Sequence, residues 1–424
     1  MRDGVSNPPS NESARAALRL ALAQGVGPVI ASRLLARFGS ADRVLGASPA
    51  ALAEVEGVGP KRAESIARSL AHDTQEVDRE LERAHRLGAR ILCLGDPDFP
   101  PTLAAINDPP TVLFVRGTLE PFGRDAIGLG VVGSRRCTHY GLEQAKRLAG
   151  VVSTAGVCIV SGGARGIDTQ AHRAAIEMKG RTIVVLGSGL AQAYPPENAE
   201  LFERIVREGY GCVLSELPMD TPPKRENFPG RNRLISGLSV AVLVIEAPER
   251  SGALITARVA IEEQGREVLV VPGRVDSQAS AGGHELIRQG ATLVATPRHV
   301  LEAVRDAARR IVPAAASLVE DAAREASERE ARDPAHDAAS SGPARQSTQV
   351  SREPAEPQSV LFASAAPSSA PAPDDVLRLL DRPRTVDELA ALSGLDAGEV
   401  RTRVTLLEIR GDVRRSGSHL IRVI

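Results

Sequence analysis

The chain of 424 residues is too long for one ordinary domain of roughly 100–200 residues, and with 42% hydrophobic residues it can bury a large core. Its 52 basic and 53 acidic residues leave a net charge of -1, which excludes a molecule that attracts nucleic acid over its whole surface. A polyanion site must therefore be a local basic patch. Cys93, Cys137, Cys158 and Cys212 are scattered, with no C-x-x-C pair and no histidine at metal-ligand spacing, so they read as reduced, mostly buried thiols. No run approaches the ~18 apolar residues of a membrane span, and the start MRDGVSNPPSNES lacks the apolar stretch of a signal peptide. The expectation is a cytoplasmic protein.

Residues 12–85 read as short helices: SARAALRLALAQ, ASRLLARFG, SPAALAEVE and KRAESIARSLA. The tetrapeptide GVGP occurs twice between them, at 25–28 and 57–60. A Gly-hydrophobic-Gly turn between short helices is the hairpin of helix-hairpin-helix modules, which can aim backbone N–H groups at a phosphate. It is equally the turn of a plain helical hairpin, in which glycine supplies a left-handed residue.

Residues 86–305 change period. Apolar runs of strand length (ARILCLG, TVLFVRG, IGLGVVG, VCIVSGG, RTIVVLGSG, VAVLVIEA, EVLVVPG) alternate with segments of helix length. Uninterrupted Val, Ile and Leu imply strands buried on both faces, hence an α/β fold with a Rossmann-like, doubly wound, mostly parallel sheet. In such a sheet the ligand crevice lies outside the strand C-termini, where Gly-rich turns gather. Residues 306–373 are dominated by Ala, Ser, Pro, Glu and Arg and read as a linker. Residues 374–424 read as three helices followed by a hairpin at Ser416-Gly417-Ser418, the winged-helix pattern, with Thr385 and Glu388 as a capping box. The charges of its third helix are balanced, so DNA reading and protein contact both remain open.

Three post-strand segments carry the candidate chemistry. In SGGARGID, Ser161 to Asp168, Gly162, Gly163 and Gly166 allow close backbone approach, and Arg165 stands at a helix N-terminus as a phosphate donor. Asp168 is expected as an N-cap or partner of Arg165, and His172 as a satisfied helix-face histidine. In VVGSRR, either Arg135 or Arg136 faces the crevice, and Arg136 is taken with the candidate set. The loop PPKRENFPGRNR places Lys224, Arg225, Arg231 and Arg233 around an exposed Phe228. Positive charge beside an aromatic face is how single strands are held without sequence readout. The competing expectation is that Phe228 plugs the core while the arginines pair with Glu226 and Glu246. Ser251 and Gly252 open a further helix and are expected to face the same crevice. No Walker A loop, nucleophile elbow, metal cluster or paired carboxylates emerge, so neither metal nor cofactor is expected.

The ordered series VVGSRR, VSGGARGIDTQAH, GRTIVVLGSGLAQAYPPEN, SELP…FPGRNRLISGLS, VIEAPERSGALITA, GREVLVVPG and AGGHELIRQGA resembles the DNA-processing protein A (DprA/Smf) family over about 90–300. The resemblance implies a non-catalytic, dimeric protein that binds single-stranded DNA and loads a RecA-type recombinase during natural transformation. It assigns phosphate binding to Arg165 and the basic-aromatic track to Lys224, Phe228, Arg231, Asn232 and Arg233. Relatives often carry Leu where this chain has Gly163, which is expected to loosen that turn. The alternative is a nucleotide-processing enzyme resembling phosphoribohydrolases, with Glu216 or Glu246 as acid or base. Their P-G-G-x-G-T turn is absent from the chain.

Overall fold

The computed structural model of the chain describes residues 11–72, 74–315 and, further on, 379–380, 382, 384–393, 400, 404, 413–416 and 419–422. It forms two units, divided between Gly342 and Pro343.

The first unit begins with helices α1 (Asn11–Leu22), α2 (Pro28–Phe38), α3 (Ala41–Leu45), α4 (Pro49–Ala53), α5 (Pro60–His72) and α6 (Thr74–Arg86). Local chemistry sets the boundaries. Pro28 opens α2 at its first position, and Gly39 closes it in the left-handed region at φ 83°. Ser40 and Ser48 cap α3 and α4 through their hydroxyl oxygens. Gly25 and Gly57 in the two GVGP turns also take positive φ. Arg62 joins those turns, with Nε donating to Gly25 O at 2.9 Å and Nη1 to Gly57 O at 3.1 Å, while Arg33 donates to Glu56 O. Arg62 and Arg33 are thus engaged by backbone carbonyls at or beside the turns.

The sheet has nine strands in the order β1-β2-β6-β5-β4-β3-β7-β8-β9. They are β1 (Ala89–Cys93), β2 (Val112–Gly117), β3 (Gly128–Val132), β4 (Cys158–Ser161), β5 (Thr182–Val185), β6 (Gly211–Ser215), β7 (Ala241–Val244), β8 (Glu267–Val270) and β9 (Thr292–Leu293). From β6 to β9 every pairing is parallel, whereas β1–β2 and β2–β6 are antiparallel. ARILCLG and TVLFVRG therefore depart from the parallel expectation. Only the short α7 (Pro101–Ala104) separates them, too little to build the crossover a parallel pair needs.

Helices α8 (His139–Thr154), α9 (Ile167–Glu177) and α14 (Pro297–Ile311) cover one face, and α11 (Asn227–Gly237), α12 (Gly252–Glu262) and α13 (Ala281–Arg288) the other. A third apolar cluster joins Leu18, Leu34 and Ile66 of the helical module to Val184, Phe202 of α10 (Ala199–Arg207) and Met219. Segment 222–233, expected as a loop, instead enters α11 at Asn227, so FPGRNR forms its first turns.

The second unit contains helix α15 (Val386–Ser393) and an antiparallel hairpin of β10 (Val413–Ser416) and β11 (His419–Arg422). The expected capping box is present: Thr385 N donates to Glu388 Oε2 at 2.8 Å, and Glu388 N to Thr385 Oγ1 at 3.3 Å. The linker and most of the first and third helices expected here lie outside the described residues.

At the strand N-termini, Arg181 pairs with Asp125 in a side-chain environment only 8% and 0% exposed, and also donates to Thr118 Oγ1 and Gly209 O. Breaking such a pair leaves a buried charge alone. Arg181→Met is expected to lower stability by about 3–5 kcal/mol, read as a fall in the urea midpoint with unchanged slope.

Candidate nucleic-acid interface

The chain steps from β3 through β4 and β5 to β6, then returns to the opposite side of β3 to make β7 and β8. At that reversal the strand C-termini part, and a crevice of about 880 Å³ opens between them. Its walls come from the turn after β3, the N-terminal turns of α11 and α12, and the start of α9. Arg135, Arg136, Arg225, Arg231 and Arg250 line it, opposed by one carboxylate, Asp168. In a chain of net charge -1 this is a concentrated basic patch.

Arg231 forms the floor. It is 4% exposed, and its Nη1 donates to Val185 O at 2.5 Å while Nε has no hydrogen-bond partner. Burial lowers its pKa to about 10, with Asp168 opposing that shift. A Cβ on Gly162 would lie 2.0 Å from Arg231 Nη1, so only glycine leaves room for the guanidinium. Asp168 is itself buried and accepts from Ala164 N at 3.3 Å. Burial lifts its pKa to about 6, against the attraction of Arg231. Below it His172 shares a 2.7 Å hydrogen bond between Nδ1 and Thr182 Oγ1, leaves Nε2 unpartnered, and is driven to a pKa of about 3 by burial. It is a neutral core histidine.

Phe228 is half-buried rather than exposed. Its ring lies against Gly187, where a Cβ would come within 2.8 Å of Cδ1. Arg135 Cζ lies 5.0 Å and Arg231 Cζ 5.7 Å from the ring centroid, and the Tyr194 ring is 6.3 Å away. Arg165 extends this cluster outward: its Cζ is 5.8 Å from the Tyr194 ring, and it pairs with Glu197, not Asp168.

The structure therefore divides the residues singled out in sequence. Ser161 is buried and donates to Val131 O at 2.6 Å, while Gly163 stands at φ 65° with its carbonyl held by Asn198 Nδ2 at 2.8 Å. Where a Cβ would stand on Gly163, the Phe202 ring is 2.7 Å away, so this turn is tightly enclosed despite the absence of a leucine. Arg165, Arg231, Asn232 and Phe228 gather at the crevice and its rim. Arg233 does not: its side chain is 6% exposed and sits between Glu216 and Asp108, the latter at 3.1 Å. Lys224 is exposed beside Glu226 at 3.9 Å, outside the crevice lining. Arg136 lines the crevice, but Arg135 is the arginine that reaches Phe228. Sequence reasoning missed Tyr194 and Arg250; the post-strand position of Arg250, just before Ser251-Gly252, was the available signal. Glu246 is buried and receives Thr138 N at 2.8 Å and Thr138 Oγ1 at 2.5 Å, so neither it nor Glu216 lines the crevice. Among the described residues no three His, Cys, Asp or Glu side chains are placed to hold a metal ion.

Residues 90–305 match the family model of the DNA recombination-mediator protein A. The chain belongs to this family. A SAM-like helix-hairpin-helix tandem matches residues 18–72, and the DprA winged helix domain matches 361–418. Among its DprA/Smf relatives, Protein Smf of Synechocystis is 41% identical over 280 residues, covering 66% of this chain and 69% of that one. Protein Smf of Escherichia coli is 48% identical over 204 residues, or 48% and 54% of the two chains. The solved DNA processing protein A of Streptococcus pneumoniae superposes with a TM-score of 0.60 at 32% identity, covering 68% of this chain and 97% of that one.

The raised pKa of Asp168 has a measurable consequence. The folded chain keeps this proton up to about pH 6, whereas an unperturbed carboxyl releases it near 3.8. The unfolded state therefore binds fewer protons between those values, and this group makes stability fall as pH rises through the window. Asp168→Asn is expected to flatten that segment of a stability–pH profile measured by urea unfolding.

Proposed function

We propose that the crevice holds single-stranded DNA without reading its sequence, and that the protein is a binding protein, not an enzyme. The observation that carries this reading is five arginines against one carboxylate, arranged beside a half-buried aromatic ring. Arg135, Arg136, Arg225 and Arg250 are exposed and have no ion-pair partner among the described residues, which suits phosphates. Arg165 and the turn at Gly162 and Gly163 take the adjoining phosphate, with Arg165 exchanging Glu197 for the ligand. Because Arg135 lies over Phe228, an incoming base either displaces the guanidinium from the ring or stacks upon it; both surfaces accept an unpaired base. A duplex keeps its bases stacked inside and cannot use them.

Family membership supports the wider role: a cytoplasmic homodimer that protects incoming DNA and passes it to a RecA-type recombinase during transformation. In this reading the core (86–305) holds the strand, the helical module (12–85) packs beside it, and the linker (306–373) tethers the winged helix (374–424). Among the described residues no helix is long and apolar enough to cross a membrane.

The test is a fluorescence-anisotropy titration of labelled oligo-dT across a salt series, with a duplex of equal length as control. The single strand is expected to bind more tightly, with steep salt dependence. Arg165→Ala should weaken all sequences alike and reduce the salt slope by about one. Phe228→Ala should cost about 1–3 kcal/mol with the slope unchanged. No binding at low salt would sink the proposal.

A further inference from the structure

Helix α6 lies between the stretches matched by the helix-hairpin-helix model, ending at 72, and the core model, beginning at 90. It nevertheless carries Glu80, a carboxylate only 1% exposed, and acidic side chains are seldom buried so fully unless paired. One partner lies in the segment after β6, and the other is Arg83 on α6 itself. Met219 N donates to Glu80 Oε1 at 2.6 Å, a charge-assisted hydrogen bond. Arg83 bridges Glu80 at 3.2 Å and Asp220 at 2.8 Å, and reaches Glu76 at 2.7 Å. Met219 itself is fully buried in the cluster shared by the helical module and the sheet edge.

The opposite side of this segment is fastened to the chain that supports the aromatic pair. Met219 O accepts from Ala191 N at 3.0 Å, and Thr221 O from Gly189 N at 2.9 Å. The approach is so close that a Cβ on Gly189 would lie 2.1 Å from the carbonyl oxygens of both Pro218 and Met219. Two residues before Gly189 is Gly187, on which the Phe228 ring rests; three after Ala191 is Tyr194, which faces both Phe228 and Arg165. One continuous series of short contacts thus runs from Glu80 through Met219 to the floor of the aromatic cluster.

We infer that α6 is a buttress of the strand-binding site and that Glu80 is a positioning residue for it, an inference that rests on the single-strand reading above. Glu80 touches no ligand. It fixes Met219, which sets the height of segment 187–194 and therefore the placement of Phe228 and Tyr194. The helical module and the core then act as one mechanical piece, and loosening α6 should be felt at the rings.

The test uses the full-length chain, which has no Trp. Phe228→Trp provides a fluorescent reporter at the site, and acrylamide quenching of its indole is compared with and without Glu80→Ala, in the absence of DNA. Glu80→Ala is expected to raise the quenching constant. In the chain retaining Phe228 it should weaken oligo-dT binding roughly fivefold, about the net effect of one lost hydrogen bond, with the salt slope unchanged. Glu80→Gln keeps an acceptor for Met219 N and should restore most of both. Should Glu80→Ala fail to fold, Asp220→Ala, at a side chain 55% exposed, removes the tie from Arg83 to the segment after β6 instead and should raise quenching in the same direction. Unchanged quenching in the folded variant overturns the inference, as does a lowered melting temperature with site mobility and affinity intact. Because the quenching needs no DNA, a wild-type chain that ignores oligo-dT removes the single-strand reading without touching this result.

Discussion

The burial of the Arg231 guanidinium at the switch point is the constraint around which the site is arranged. A desolvated cation must be met by acceptors or opposite charge, and Arg231 has Val185 O in contact and Asp168 nearby. That requirement explains why SGGARGID and FPGRNR, far apart in sequence, belong together. Gly162 leaves the space that Arg231 fills, and Asp168, opening α9, supplies the balancing charge. Asp168 in turn holds Ala164 N, which shapes the turn presenting Arg165. The two motifs are halves of one contact.

Helix α11, which carries Arg231, shows how position overrides residue type. Arg231 and Arg233 stand two residues apart on α11, about 200° around the helix axis at 3.6 residues per turn. One faces the crevice, while the other is enclosed by Glu216 and Asp108 and tied through its carbonyl to Gln264 Nε2 at 2.9 Å. Burial pushes the Glu216 carboxyl upward, and Arg233 opposes it. Arg233 therefore contributes to holding α11 against the 108 and 216 segments, and the helix carries Arg231 and Phe228 as a rigid support.

What the sequence disclosed follows from which features are local. Uninterrupted apolar runs ending in glycine marked the parallel strands and the crevice beyond them, since backbone sterics and double-sided burial both act within a few residues. The antiparallel edge was hidden because β1 and β2, although each carries an arginine, still read as apolar runs, and the sign of pairing depends on what joins them. The helical start of FPGRNR was hidden by Pro229 and Gly230, which read as loop residues although proline is tolerated in a first helical turn. Tyr194 could not be found by spacing, since it reaches Phe228 only through the folded sheet, whereas Arg250 stood at a post-strand turn that spacing could have singled out. The choice between Arg135 and Arg136 had no periodic signal at all.

The depth of each arginine also separates two roles within one basic patch. Arg135, Arg136, Arg225 and Arg250 are exposed and hydrated, so in the proposed function phosphates meeting them would release counterions and generate salt dependence. Arg231 has already lost its hydration on folding and is already balanced by Asp168, so a phosphate gains less from it in raw attraction. Its immobility gives it a different value: a buried guanidinium fixed by Val185 O presents its charge in one direction and holds a face toward Phe228. In the proposed function the exposed rim would draw the strand in, and the buried floor would determine where its backbone and bases come to rest.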